Sequence, residues 1–344
     1  MFYMESNSSN TAADAIIFFV AKWLSHPEIS GLIPLPYAIP ALMLDAFIGY
    51  ILICYFKTPF YRLYLFSNIT QCAHWITSYY LYRASGTHLF YPLYALIPSS
   101  GWIPTLLNFL GYYLVYLNFF FDWLLTVNRC TVFAFPFHYE MLWKRIMPYI
   151  ILFGLSYPFI FTWHLIKTGA TCTFYPMVGY AIDASEQLTG VSNSLYMVIF
   201  IAFNGVSVAA MNLYICYKIF KHRKRNQSGS VGTNQQSRDP ELNLFLFTCI
   251  NFLLVVLNRF LSQLYIFFNI KWMNDEQVIT LLGLMMYPED LSLCLTPLFL
   301  LLLCKGLRKE IRRRFAKKFP RIQCSLELPD NSLFRSVASG SRND

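Results

Sequence analysis

Residues 34–56 read PLPYAIPALMLDAFIGYILICYF, an almost unbroken apolar run whose one charge is Asp45. A helix rises about 1.5 Å per residue, so about 20 mostly apolar residues cross the roughly 30 Å hydrocarbon core of a bilayer. Six further stretches of this kind follow, at 60–82, 104–127, 146–166, 195–220, 242–268 and 278–304. They predict an all-α membrane protein, a bundle of seven transmembrane helices. Seven being odd, the two chain ends lie on opposite sides of the membrane. The composition agrees, with 56% hydrophobic and 13% charged residues, against about 25% charged in soluble domains. The chain divides into an N-terminal arm (1–33), the seven-helix domain (34–304), an amphipathic helix (305–320) and a disordered cytoplasmic tail (321–344).

Lysine and arginine set the orientation. The arm and the loops on its side carry only Lys22, Arg83, Lys167 and Lys271, whereas 22 Lys and Arg fall on the opposite side and Arg259 lies within a span. The positive-inside rule then places the N-terminus outside and the C-terminus in the cytosol. The net charge of +9 belongs to the cytosolic face, where it attracts anionic lipid rather than nucleic acid. Asn7 opens a glycosylation triplet, Asn7-Ser8-Ser9, on the outer side. In the tail, Leu307, Ile311, Phe315 and Phe319 share one helical face among cationic neighbours, the pattern of a helix lying in the membrane interface. Cys324 just beyond is either a lipid-attachment site or an unmodified tail cysteine.

Charge at membrane depth costs on the order of 2.5–3.5 kcal/mol by insertion scales and needs a partner or a wet cavity. Asp45, Asp122, Arg259, Glu289 and Asp290 are the cases to explain. Arg259 in the sixth span pairs with Glu289 or Asp290 in the seventh on this reading. The pair either fixes helix packing or also belongs to a ligand pocket. Gln71, His74 and Ser78 form one polar stripe on the second span, suited to hydrogen bonds across helices. Tyr112, Tyr113 and Tyr116 in the third span suit a small-molecule cavity and, equally, an interfacial belt. The ligand-binding candidates are thus Tyr112, Tyr113, Tyr116, His74, Arg259 and Glu289.

Enzyme constellations are missing. The six histidines have no metal-ligand spacing, and no nucleophile elbow or phosphate-cradling glycine loop occurs. The seventh span has no internal lysine for a retinal Schiff base. No cofactor, metal or catalytic step is expected.

The third span ends in Asn128-Arg129, followed by Phe135-Pro136-Phe137-His138-Tyr139 and Trp143. Phe60-Tyr61-Arg62-Leu63-Tyr64 opens the second span, and Thr296-Pro297 and Leu307-Arg308 close the seventh. An arginine at the cytosolic end of the third of seven helices resembles the G-protein-coupled receptors, although Asn128 stands where an acid usually precedes it. The wider pattern, from Pro34 to Arg314, resembles the nematode serpentine chemoreceptors, most closely class gamma, with class V as a sister. That resemblance implies a sensory receptor in the plasma membrane or sensory cilium of chemosensory neurons. It would bind a small odorant or pheromone among the outer halves of its helices and signal through a heterotrimeric G protein. Arg129, Tyr139, Lys144, Arg145, Lys221 and Arg223 would form the signalling interface. The rival readings are a ligand-gated ion channel or a small-solute transporter with a polar path lined by Asp45, Arg259, Glu289 and Asp290.

The orientation has a direct check. An epitope tag at the N-terminus should be stained on intact cells, and one at the C-terminus only after permeabilisation. Staining of the C-terminal tag on intact cells would reverse the charge-derived topology.

Overall fold

The computed structural model describes residues 26–55, 58–135, 137–175, 179–184, 193–227 and 286–318, together with Trp23, Cys249 and Leu284. The helices are α1 (Pro27–Leu32), α2 (Leu35–Tyr55), α3 (Pro59–Tyr82), α4 (Tyr91–Tyr94), α5 (Trp102–Ala134), α6 (Tyr139–Ser156), α7 (Phe159–Thr168), α8 (Asn193–Gln227), α9 (Tyr287–Leu303) and α10 (Lys305–Lys318). Strands β1 (Ala170–Tyr175) and β2 (Gly179–Ala184) form an antiparallel hairpin between α7 and α8. The described parts of six expected spans are therefore α2, α3, α5, α6 with α7, α8 and α9. The sixth span, 242–268, lies outside the described residues apart from Cys249.

Among the described residues, four helical segments are long and apolar enough to cross a membrane: Pro27–Tyr55, Trp102–Ala134, Tyr139–Thr168 and Leu195–Lys221. A fifth is added if the pair Tyr287–Leu302 and Leu307–Arg314, bent by 84°, counts as one span. Helix α3 has the length, 24 residues, but its buried Ser67, Asn68, Thr70, His74 and Ser78 lower its hydropathy. Those groups face neighbouring helices, where hydrogen bonds replace the water they lose. Outward positions are apolar instead: Met43, Ile53, Leu152, Val206 and Leu213 are all exposed, as expected of surfaces that meet lipid chains.

Two features depart from the expectation of seven plain helices. The fourth span is longer than 146–166 and is broken at Tyr157-Pro158, between α6 and α7. Proline cannot donate the helical hydrogen bond and crowds the preceding turn. The Tyr157 hydroxyl donates to the Tyr116 carbonyl at 3.2 Å, holding the break against α5. The second departure corrects the all-helical reading of the chain: the Ala170–Tyr175 run, rich in β-branched and aromatic residues, pairs with Gly179–Ala184. Gly179 sits at φ 87°, and a Cβ there would lie 2.3 Å from the Ser85 carbonyl oxygen, so glycine lets the hairpin close onto the end of α3. Tyr180 packs on Tyr91, Tyr94 and Phe174. Cys172 is buried beneath this cap, and burial pushes its thiol up, away from the reactive thiolate.

The core runs along α5. Tyr116 stacks on Phe161 and meets Phe200 edge-on, while Phe120 packs on Tyr157 and Phe153. At the end away from the hairpin, Leu307 is fully buried and Ile311 packs against the same core, so this part of α10 lies under the bundle. The Arg314 guanidinium stacks 3.3 Å from the Tyr55 ring centroid.

Gly154 sets how closely α6 approaches α5, since a Cβ there would fall 2.5 Å from the Phe120 ring. Gly154→Val should destabilise the purified protein by about 1–3 kcal/mol, read as a lowered melting temperature. Leu152→Val, at a 65% exposed site, should stay within about 0.5 kcal/mol of the parent.

Candidate functional site

At the hairpin end, α2, α3 and α9 converge on Asp290. This carboxylate is 3% exposed. Its Oδ2 accepts from Arg83 Nη1 at 2.7 Å and from the Tyr37 hydroxyl at 2.8 Å, and its Oδ1 accepts from Trp75 Nε1 at 2.7 Å. Three donors from two other helices thus hold one carboxylate of α9. Arg83 is also 3% exposed and lies 5.0 Å from the Tyr287 ring centroid, a cation–π distance. One residue before Trp75, His74 Nε2 lies 3.3 Å from Glu289 Oε2, and Ser78 Oγ is 3.3 Å from His74 Nδ1. Gln71 Nε2 donates to Ser292 Oγ at 3.0 Å, extending the α3–α9 seam.

The local sequence explains this convergence. His74, Trp75 and Ser78 lie on adjoining faces of α3, and Arg83 caps that helix at its C-terminal end, where a cation complements the helix dipole. Glu289 and Asp290 sit in the first turn of α9 as described, where anions are favoured. Tyr37 is brought in by the start of α2. Helix α1 closes over the group: Tyr79 OH donates to the Gly31 carbonyl at 2.7 Å, and Thr87 packs where a Gly31 side chain would stand.

Of the residues singled out from sequence, His74, Glu289 and Asp290 come together here. Arg259 lies outside the described residues, so its pairing is not part of this geometry. Arg83 is the participant that sequence reading missed: it was counted as a loop charge on the outer side, and it is a buried ion-pair partner. The signal was present, since it ends a helix whose stripe already contained His74. Tyr113 and Tyr116 stand elsewhere. Tyr113 donates to the Leu155 carbonyl at 2.7 Å, and Tyr116 is buried in the aromatic core. Tyr112 packs against that same core.

Deeper in the bundle, Asp45 accepts a hydrogen bond from Asn68 Nδ2, and Asp122 accepts from Ser67 Oγ at 2.8 Å. Consecutive α3 residues thus reach α2 on one side and α5 on the other. Among the described residues, no group of three or more His, Cys, Asp and Glu could hold a metal ion.

The opposite end holds the other predicted set. Arg129 is 8% exposed, with its guanidinium 3.8 Å from the Phe60 ring centroid. Tyr139 OH donates to Asn128 Oδ1 at 3.0 Å and Trp143 Nε1 to Thr131 Oγ1 at 2.8 Å, so the start of α6 is latched to the end of α5. Lys144, Arg145 and Lys221 are exposed at this end. The side chain of Arg223, and Asn7 and Cys324, lie outside the described residues.

Comparison with known proteins adds a family. The model of the Srg family chemoreceptors matches residues 32–311. The chain is 26% identical over 205 residues to serpentine receptor class gamma-2 of Caenorhabditis elegans; the match covers 58% of this chain and 62% of that relative's length.

Breaking the Arg83–Asp290 pair should be costly, since it strands a buried charge. Asp290→Asn should lower stability by about 3–5 kcal/mol. Pairing Asp290→Leu with Arg83→Met should restore part of that loss, with a coupling of at least about 1 kcal/mol in a double-mutant cycle on detergent-purified protein.

Proposed function

The chain belongs to the Srg family of chemoreceptors, and on that premise we propose that it is a seven-helix chemosensory receptor that binds a small odorant or pheromone and signals through a cytosolic G protein. The observation that carries this reading is the family match over residues 32–311, which takes in the whole of the expected membrane domain. The chain is a non-enzymatic membrane receptor by family; the ligand, the G protein, the orientation and the sensory-cilium location are the proposed parts.

The binding region on this reading is the buried polar group of Tyr37, His74, Trp75, Arg83, Glu289 and Asp290. It has what a small-molecule site needs: a few convergent polar groups set among aromatic walls. Coupling to the cytosol requires that the ligand bind one helix arrangement better than another. A group that joins the first, second and seventh spans through one carboxylate supplies that requirement, because shifting any of the three helices changes the bonds to Asp290. The opposite end, with Arg129, Tyr139 and the exposed Lys144, Arg145 and Lys221, would face the G protein. A continuous polar path of the channel or transporter kind is not favoured: Asp45 and Asp290 are both buried and held by different partners.

Cells expressing the chain should answer some members of a panel of volatile and pheromone-like compounds with calcium or cAMP signals that are lost when G proteins are blocked. Asp290→Asn, at matched surface expression, should weaken the half-maximal concentration by about tenfold or more, equivalent to about 1.4 kcal/mol. Ion flux that persists without G proteins would replace this reading with a channel.

A further inference from the structure

The Arg83 side chain is only partly used. Asp290 occupies Nη1, whereas Nε and Nη2 are buried and have no hydrogen-bond partner among the described residues. These two nitrogens form one side of the planar guanidinium, and their N–H bonds run side by side. That side matches the two oxygens of a carboxylate, which it binds through two parallel hydrogen bonds. A buried charged donor left unmade carries a desolvation penalty of about 1–3 kcal/mol or more, so an acceptor arriving there relieves a cost already present in the fold.

We infer that the ligand of this receptor carries a carboxylate, and that this carboxylate docks on the Nε–Nη2 side of Arg83. The inference rests on the receptor reading above and names the ligand class for the same site.

Three observations narrow the class. The unfilled groups are donors only, so the incoming group must be an acceptor, and a planar one with two oxygens uses both. Asp290 already balances the Arg83 charge, so a monoanion is tolerated better than a dianion such as a phosphate monoester. The surroundings are aromatic, with Trp75 and Tyr37 on the Asp290 side and the Tyr287 ring over the guanidinium. They suit an amphipathic acid whose remainder is apolar rather than a sugar acid or an amino acid.

The test uses the full chain purified in detergent and titrated with straight-chain monocarboxylates from butanoate to dodecanoate. The methyl ester and the primary alcohol of each acid serve as comparators, and ligand-induced change in melting temperature is the readout. At least one acid should bind about tenfold or more tightly than its ester and its alcohol. Arg83→Lys keeps a cation against Asp290 but lacks the paired side, and should reach the surface while losing that preference. Partition of the probes into detergent is common to parent and variant and cancels in the comparison. Equal binding of acid and ester by the parent chain, an undiminished acid preference in Arg83→Lys, or no acid binding below about 1 mM would each overturn the inference. The parent comparison, with each probe's partition into the detergent measured and subtracted, stands even if the variant fails to fold. Acid binding that depends on Arg83 in a chain evoking no G-protein signal would sink the receptor reading and keep the carboxylate site. Signals evoked only by esters and alcohols would do the reverse.

Discussion

One buried ion pair organises the hairpin end of this molecule. Arg83 and Asp290 are 207 residues apart and meet at 2.7 Å with each side chain under 5% exposed. Bringing both charges out of water costs several kcal/mol each, and their attraction repays this only with good geometry and further hydrogen bonds. The further bonds are there, from Tyr37 and Trp75 to the same carboxylate. A pair of this kind adds less to net stability than to uniqueness. Apolar faces in lipid can slide past one another at little cost, because lipid tails are as apolar as leucine. A carboxylate held by three donors cannot slide without stranding a charge. The register of α9 against α2 and α3 is therefore fixed at Asp290, and the ordering of α1 over the site follows from it.

That fixed point lies at one end of a long lever. Helix α5 has 33 residues, about 50 Å at the usual rise, and runs from the hairpin to Arg129. Helix α9 leaves Asp290 and ends at Cys304, whose Sγ lies 2.8 Å from Tyr61 OH. Tyr61 neighbours Phe60, the ring that covers Arg129. A change in the bonds to Asp290 therefore acts on a helix whose far end touches the same turn of α3 that shields Arg129. Close packing makes such a connection bistable rather than compliant, which is what a receptor needs to report a few kcal/mol of differential binding.

Much of this was written in the sequence, and the part that was not has a physical reason. The spans were legible because lipid demands long apolar runs whatever the fold. The charges of Glu289 and Asp290 were legible as needing partners, since a buried carboxylate cannot stand alone. Which partner they take was not, because an arginine at a helix end reads equally as a loop charge, and only the fold shows that Arg83 turns inward. The hairpin was hidden for a different reason. The run Ala170–Tyr175 is short, and its pairing depends on Gly179 approaching Ser85, a contact between segments far apart in the chain. The break at Pro158 could have been anticipated from proline alone; the Tyr157–Tyr116 bond that stabilises it could not.

The tail end follows a different rule from the hairpin end, and the difference bears on how the two communicate. Before Arg129 this chain has Asn128, a neutral amide, fully buried and bound to Tyr139. A neutral amide needs no counter-ion, so it ties the start of α6 to α5 without drawing on Arg129. Arg129 instead lies against the Phe60 ring, a contact worth about 0.5–2 kcal/mol depending on desolvation. An aromatic cover opens when the ring moves, so its opening depends on packing along α3. In this molecule the Phe60 ring over Arg129 is carried by α3, the same helix that brings His74, Trp75 and, at its C-cap, Arg83 to the buried polar group at its other end.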